Sequence, residues 1–354
     1  MRSNLLATLL ATTALAAMAS PASAAGYKFG NHSFGGKFSV TAGQNSNAAA
    51  SPAKAGKSFD DEDDDLADLE DELDDNELDN QELDEEDASD DEDGGEDDEF
   101  STPGTPAQVY RDSRVQYALG LTHAYKFTDA FSWKSAVLAG VNRQMDRHEL
   151  NRINWAVNTG AEFKIKSMNL TLSPTVTYAQ LEKAHKDQSE SVIPGLAAKW
   201  QATKNWDFSA RVNKEFRNNV TPRTTNTNVT GVKFGTAYKL TPKDKISFNI
   251  SPKEDRNENS LKSKDAWSAD IGYARKLPWD LTLGLAYKYS ESDFINGNEP
   301  KRSDEDHNYA IGLNKQFDNG MFAAVGAGYK GKKSNIANKG NHDKSVFVQT
   351  GYKF

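Results

Sequence analysis

Between Asp60 and Glu99 the chain carries 27 Asp and Glu among 40 residues, with no Lys or Arg. Carboxylates at that density offer hard oxygen ligands, which suit calcium and similar divalent cations. The densest candidates are Asp60, Asp61, Glu62, Asp63, Asp64, Asp65, Glu85, Glu86, Asp87, Asp90, Asp91, Glu92 and Asp93. A loose repeat runs through Glu72-Leu73-Asp74, Glu77-Leu78-Asp79 and Glu82-Leu83-Asp84. Its spacing matches neither a 3.6-residue helix nor an EF-hand loop built around a glycine. The tract therefore implies weak, multisite cation binding, with loosely held Ca2+ as the one expected cofactor and no specific metal centre. Two other readings fit the same residues. A self-repelling, solvated chain needs no ligand at all, and an anionic segment could also plug a basic cavity, an attraction that salt would weaken.

A second chemical set is basic. The chain has 52 Asp plus Glu and 42 Lys plus Arg, so removing the tract's 27 acids leaves 25 acids against those 42 bases. A net charge of −10 thus averages an acidic insert and a basic protein. Lys126, Lys134, Lys164, Lys199, Arg211, Arg217, Lys233, Lys239, Lys276, Lys288 and Lys353 recur at alternate positions of extended segments, beside fewer acids such as Glu162, Asp207, Glu215 and Asp270. One reading is that they are merely polar residues on a wet face, with the long stems near strand ends snorkelling. The other is a cavity whose single-sign charge attracts anions. Catalysis is not expected. His123, His148, His185, His307 and His342 form no Ser/His or Asp/His constellation, and there is no cysteine to supply a thiolate. Nothing in the basic pattern argues for nucleic acid.

The elements that hold these residues are strands. Leu281, Leu283, Leu285, Tyr287 and Tyr289 share one parity, while Thr282, Gly284, Ala286, Lys288 and Ser290 share the other. Val232, Phe234, Thr236, Tyr238 and Leu240 interleave in the same way with Gly231, Lys233, Gly235, Ala237 and Lys239. Similar alternation runs through Ile246 to Pro252, Trp267 to Leu277, Tyr309 to Phe317 and Val346 to Phe354. Period-two patterning gives one apolar and one polar face. No stretch after the N-terminus approaches the roughly 20 apolar residues of a membrane helix. A mean hydropathy of −0.74 would suit a soluble protein, but barrel strands show lipid only half their residues.

Short links at Thr128 to Ala130, Lys166 to Asn169, Thr203 to Asn205, Thr241 to Asp244 and Asp318 to Gly320 alternate with longer polar ones. The longer ones include Glu182 to Glu190, Asn219 to Val229, Asn296 to Asp306 and Asn335 to Asp343. Phe127, Phe131, Trp200, Trp206, Trp279, Phe317 and Phe322 cluster beside the short links. Short periplasmic turns, longer extracellular loops and an aromatic girdle predict an antiparallel transmembrane β-barrel. Asn319-Gly320 is hairpin chemistry rather than a site. Counting back from Phe354 gives 13 strands after Val115, and a barrel with no open edge in lipid favours an even number. Phe34 to Gln44 supplies the missing strand and brings the total to 14. Residues 45–108 then form a long acidic first loop with a disordered core at 59–100, and 109–354 hold the remaining strands. A periplasmic acidic tail, with 12 strands or with a first strand elsewhere, is the competing arrangement.

The N-terminus addresses the chain. Arg2 begins a positive n-region, Leu5 to Ala17 is apolar, and Ala22-Ser23-Ala24 is a small-x-small cleavage site. Residues 1–24 are therefore expected to be a cleaved signal peptide, with 25–44 the region of the first strand. Tyr352 and the terminal Phe354 are expected to serve as the signal read by barrel-assembly machinery. The expected location is the outer membrane of a Gram-negative cell, in contact with its lipid.

Several short motifs also carry a family resemblance. Leu277-Pro278-Trp279 precedes the Leu-x-Leu-x-Leu strand, followed by Lys301-Arg302-Ser303-Asp304, Ser334-Asn335-Ile336 and a last strand ending on Phe354. Asn45-Ser46-Asn47 and Glu149-Leu150-Asn151 fit at two earlier strand borders. In these residues the chain resembles the C-terminal barrel domain of the surface lipoprotein assembly modifier family, without that family's N-terminal helical-repeat domain. The resemblance implies a 14-stranded barrel that translocates or displays a secreted or lipidated client protein. The alternatives are a passive or gated channel for small anionic solutes, argued from the basic parity, and a structural, cation-binding surface protein acting through the acidic loop.

Overall fold

The computed structural model describes residues 26–46, 112–146, 148–183, 187–219, 225–295, 301–336 and 340–354. The expected signal peptide and the acidic tract, with every carboxylate from Asp60 to Asp93 named above, lie outside the described residues.

Alternating side chains commit each segment to a strand with one face for lipid and one for the interior. A short strand β1 (Tyr27–Phe29) is followed by β2 (His32–Asn45), β3 (Asp112–Lys126), β4 (Phe131–Gln144), β5 (Arg152–Ile165), β6 (Leu170–Lys183), β7 (Asp187–Gln201) and β8 (Trp206–Asn219). The second half contains β9 (Thr227–Thr241), β10 (Asp244–Asn257), β11 (Lys264–Lys276), β12 (Leu281–Phe294), β13 (Ser303–Gln316), β14 (Met321–Ser334) and β15 (Asn341–Lys353). Every neighbouring pair is antiparallel, and β2 bonds to both β3 and β15. The result is a closed barrel of 14 strands, β2 to β15, as the parity of the sequence required.

Closure is set by a small group of residues. Register runs from Ser345 opposite Asn45 to Lys353 opposite Lys37. Phe354 extends it by exchanging backbone hydrogen bonds with Gly36, each 2.9 Å. The Phe354 ring lies over Gly36 so closely that a Cβ there would stand 2.8 Å from ring atom Cε1. Only glycine leaves that space. Tyr352 stacks beside Phe354 with ring centroids 6.2 Å apart. Below this seam β1 pairs with the free edge of β2, Tyr27 opposite Phe34 and Phe29 opposite His32. This element was not expected from the sequence; three residues before a Gly30-Asn31 turn are too few to display a period.

Differences also appear at the outer ends of the strands. β13 begins at Ser303, β9 at Thr227 and β15 at Asn341, inside stretches expected to be loops. Polar residues on both faces conceal a strand once it leaves the apolar zone, because alternation no longer separates the two parities. At the other end the links are tight. Gly320 takes a φ of 84° in the turn between β13 and β14, and Trp279 and Asp280 take 64° and 57° in the turn before β12. Non-glycine residues in that region carry a steric cost.

A bulky side chain at Gly36 should displace the Phe354 ring and weaken closure. Gly36→Leu is expected to lower the guanidinium midpoint of the refolded barrel by an amount corresponding to about 1–3 kcal/mol. An unchanged midpoint would remove this seam from the folding account.

Candidate functional site

The two barrel faces separate cleanly. Large apolar residues on one parity face outward: Phe234 is 53% exposed, Ile311 51% and Val346 56%. Opposite-parity residues line the lumen, and the cations predicted for it from Lys126 to Lys353 all occupy that parity in their strands. The same face holds cations that the sequence reading did not single out, among them Lys37, Arg114, Lys245, Lys264, Lys330 and Lys332.

Charge is distributed unevenly along the axis. Towards the short-turn end the lumen face carries Lys37, Lys126, Lys134, Lys164, Lys199, Arg211, Lys239, Lys245, Lys276 and Lys353, with Glu162, Asp207 and Asp270 as the acids. Lys134 and Lys164 meet at Glu162, which they contact at 2.7 and 3.1 Å. Lys126 and Lys276 are exposed at the rim. Lys126 turns to Asp129 of the β3–β4 turn at 2.6 Å, and Lys166 reaches the same carboxyl at 3.6 Å. The hydrogen bond from Lys126, then its charge and that of Lys166, hold the Asp129 carboxyl below its ordinary pKa. That rim contact is therefore present at neutral pH and is lost only as pH falls through the lowered value. Lys233 and Lys288 lie near mid-height, on β9 and β12.

The loop end is different: here acids and bases are interleaved and buried. Glu215 is 2% exposed, Asp255 1% and Asp343 1%. Ser191, Arg217, Thr227 and Asn257 face one another across β7 to β10 in a single row. Ser191 donates to Glu215 Oε1 at 2.6 Å, and Arg217 donates to both Glu215 oxygens at 2.8 and 3.1 Å. Asn257 donates to Thr227 at 2.7 Å and receives Ser263 on its carbonyl at 3.3 Å. At the start of β13, Asp304 receives the half-buried Arg302, just before the strand, and Lys332 of β14 at 2.9 and 3.4 Å. Asn45, Asp112, Arg114, Gln144 and Ser345 complete the circle, all buried. Buried charges persist only when paired and hydrogen-bonded; Glu215 and Asp304 find an arginine two residues along the chain, and Ser191 and Lys332 join them from neighbouring strands. The lumen is thus a basic vestibule at one end and an ion-paired, closely packed collar at the other.

A mid-height wall across β11 to β14 separates these zones with little bulk. Gly272, Gly284, Ala286, Ala310, Gly312 and Ala324 face inward there beside Lys288, while the larger Asn158, Thr177, Ile193, Asn213 and Val229 line β5 to β9.

The fold is shared with bacterial outer-membrane barrels. Over 93% of this chain and all of the other, it matches the outer membrane channel DcaP of Acinetobacter baumannii at a TM-score of 0.52 and 12% identity. The anion-selective porin of Comamonas acidovorans aligns over 91% of this chain and 99% of its own, with a TM-score of 0.47 and 7% identity. A loop-deletion form of OmpT from Vibrio cholerae covers 93% and 100% at 0.46 and 8%. No family model matches the sequence, and no curated protein matches it either. Likeness to the lipoprotein assembly modifiers is carried by the short motifs quoted above alone.

Glu215→Gln would leave Arg217 buried without its countercharge. It should destabilise the barrel by about 3 kcal/mol in a guanidinium titration, whereas Glu215→Leu combined with Arg217→Leu should recover most of that loss. Equal stability of wild type and Glu215→Gln would show that the collar is solvated.

Proposed function

We propose that the protein is an outer-membrane channel that favours small anions, with passage restricted at the loop end by the ion-paired collar. The observation carrying this reading is the excess of lysine and arginine over carboxylate on the inward face of the short-turn half. Same-sign charge on a low-dielectric wall focuses the field and raises the local concentration of counter-ions. In outer-membrane barrels short turns face the periplasm, so the basic vestibule opens inward and the collar lies towards the outside. The fold it shares with the Acinetobacter channel supports a conduit rather than an enzyme.

Small solutes suit this geometry better than a protein client, because the collar buries Glu215, Arg217, Asp255 and Asp343 almost completely. A role in client translocation rests on sequence motifs, and a role for bound Ca2+ rests on the acidic tract.

The test is the zero-current potential of the purified protein in a planar bilayer under a tenfold KCl gradient. A potential of the sign set by Cl− is expected, shifting towards K+ when Lys199, Lys239 and Lys276 are replaced together by Glu. Cation preference of the wild-type protein, or no conductance at any voltage, would refute the proposal.

A further inference from the structure

Beyond the lumen, the outward face holds a histidine pair that neither closure nor conduction uses. His32 begins β2 and His123 lies near the end of β3. Register sets His32 opposite Tyr125 and His123 opposite Phe34, so the imidazoles are diagonal neighbours on one face. His32 Nδ1 and His123 Nε2 stand 3.0 Å apart. We propose that His32 and His123 form a two-imidazole site for a late first-row transition-metal ion of the Cu2+ or Zn2+ class.

The distance carries the argument. With metal–nitrogen bonds of about 2.0 Å, cis nitrogens stand about 2.8 Å apart in a tetragonal complex and about 3.3 Å apart in a tetrahedral one. The observed separation lies between those values, so both nitrogens reach one ion once each ring turns its lone pair about 35–45° off the nitrogen–nitrogen line. In the metal-free pair a single N–H proton bridges the nitrogens; on binding, the donor ring takes the tautomer with that proton on its other nitrogen, so both rings stay neutral and both lone pairs face the ion. The rings are held before any metal arrives. Tyr125 packs 4.6 Å from His32 and Phe34 4.7 Å from His123, centroid to centroid. Preset ligands of this kind lower the ordering cost of binding.

The pair sits where water can complete the coordination shell. It adjoins the Gly30-Asn31 turn, where Lys126 N–H bonds the Asn31 carbonyl at 2.9 Å. Among the described residues no group of three or more His, Cys, Asp or Glu gathers to hold a metal, so water supplies the remaining ligands. Imidazole nitrogen favours copper and zinc over calcium and magnesium, which separates this site from carboxylate binding elsewhere in the chain. A bound ion would clamp β2, the strand that closes the barrel, to β3.

Cu2+ titration of the full-length, refolded protein in detergent micelles tests the site, with millimolar Ca2+ present to occupy carboxylates. Electron paramagnetic resonance should show coupling to two imidazole nitrogens at one equivalent of copper. That two-nitrogen pattern should be lost in His32→Gln and in His123→Gln, and kept in His307→Gln. His123→Tyr preserves the aromatic girdle, so a folding defect in one variant does not decide the result. Absence of the two-nitrogen signal in the wild-type protein, or its survival when both histidines are replaced, would overturn the assignment.

Discussion

Every backbone amide and carbonyl of a sheet in lipid must find a partner within the sheet, and an edge strand cannot meet that demand. The whole architecture depends on the contact that removes the edge, where β2 receives β15 and the Phe354 backbone exchanges hydrogen bonds with Gly36. The seam works through shape as well as hydrogen bonding. A glycine notch on one strand receives the terminal aromatic of the other, and β1 covers the length of β2 that β15 does not reach. Because closure fixes register, it also fixes which side chains face each other across the lumen.

The interior follows from this constraint. Lipid claims one parity of every strand, so nearly all polar chemistry must use the other. At the short-turn end solvent can enter and charges of one sign are tolerated, giving the exposed rim of Lys126 and Lys276. At the loop end the residues lose water and charge must be balanced, giving Glu215 with Arg217 and Asp304 with Arg302 and Lys332. One wall therefore produces an attractive vestibule and a neutralised barrier without a separate domain for either.

Much of the barrel could be read in advance. Period-two alternation separates the faces of Leu281 to Ser290 unaided, and strand parity demanded an element near Phe38 that the structure provides. The collar could not be read so, because Asp255, Asp304 and Asp343 fall where the pattern resembles loop. Asp304 takes Arg302 from two residues away, but Lys332 at Asp304 and Ser191 at Glu215 arrive through register from neighbouring strands, where nothing local marks them as partners. His32 escaped for the same reason: it precedes the visible alternation, and its partner is 91 residues away.

The absence of native cysteine makes the asymmetry of the lumen directly measurable. Single cysteines at Lys199 and Lys239 in the vestibule, and at Ser191 and Ser345 in the collar, can be labelled with a charged, membrane-impermeant maleimide in refolded protein. The vestibule positions should react readily and the collar positions far more slowly, until denaturant exposes all four. Equal rates at both ends in the folded barrel would contradict a lumen open at the short turns and closed at the loops.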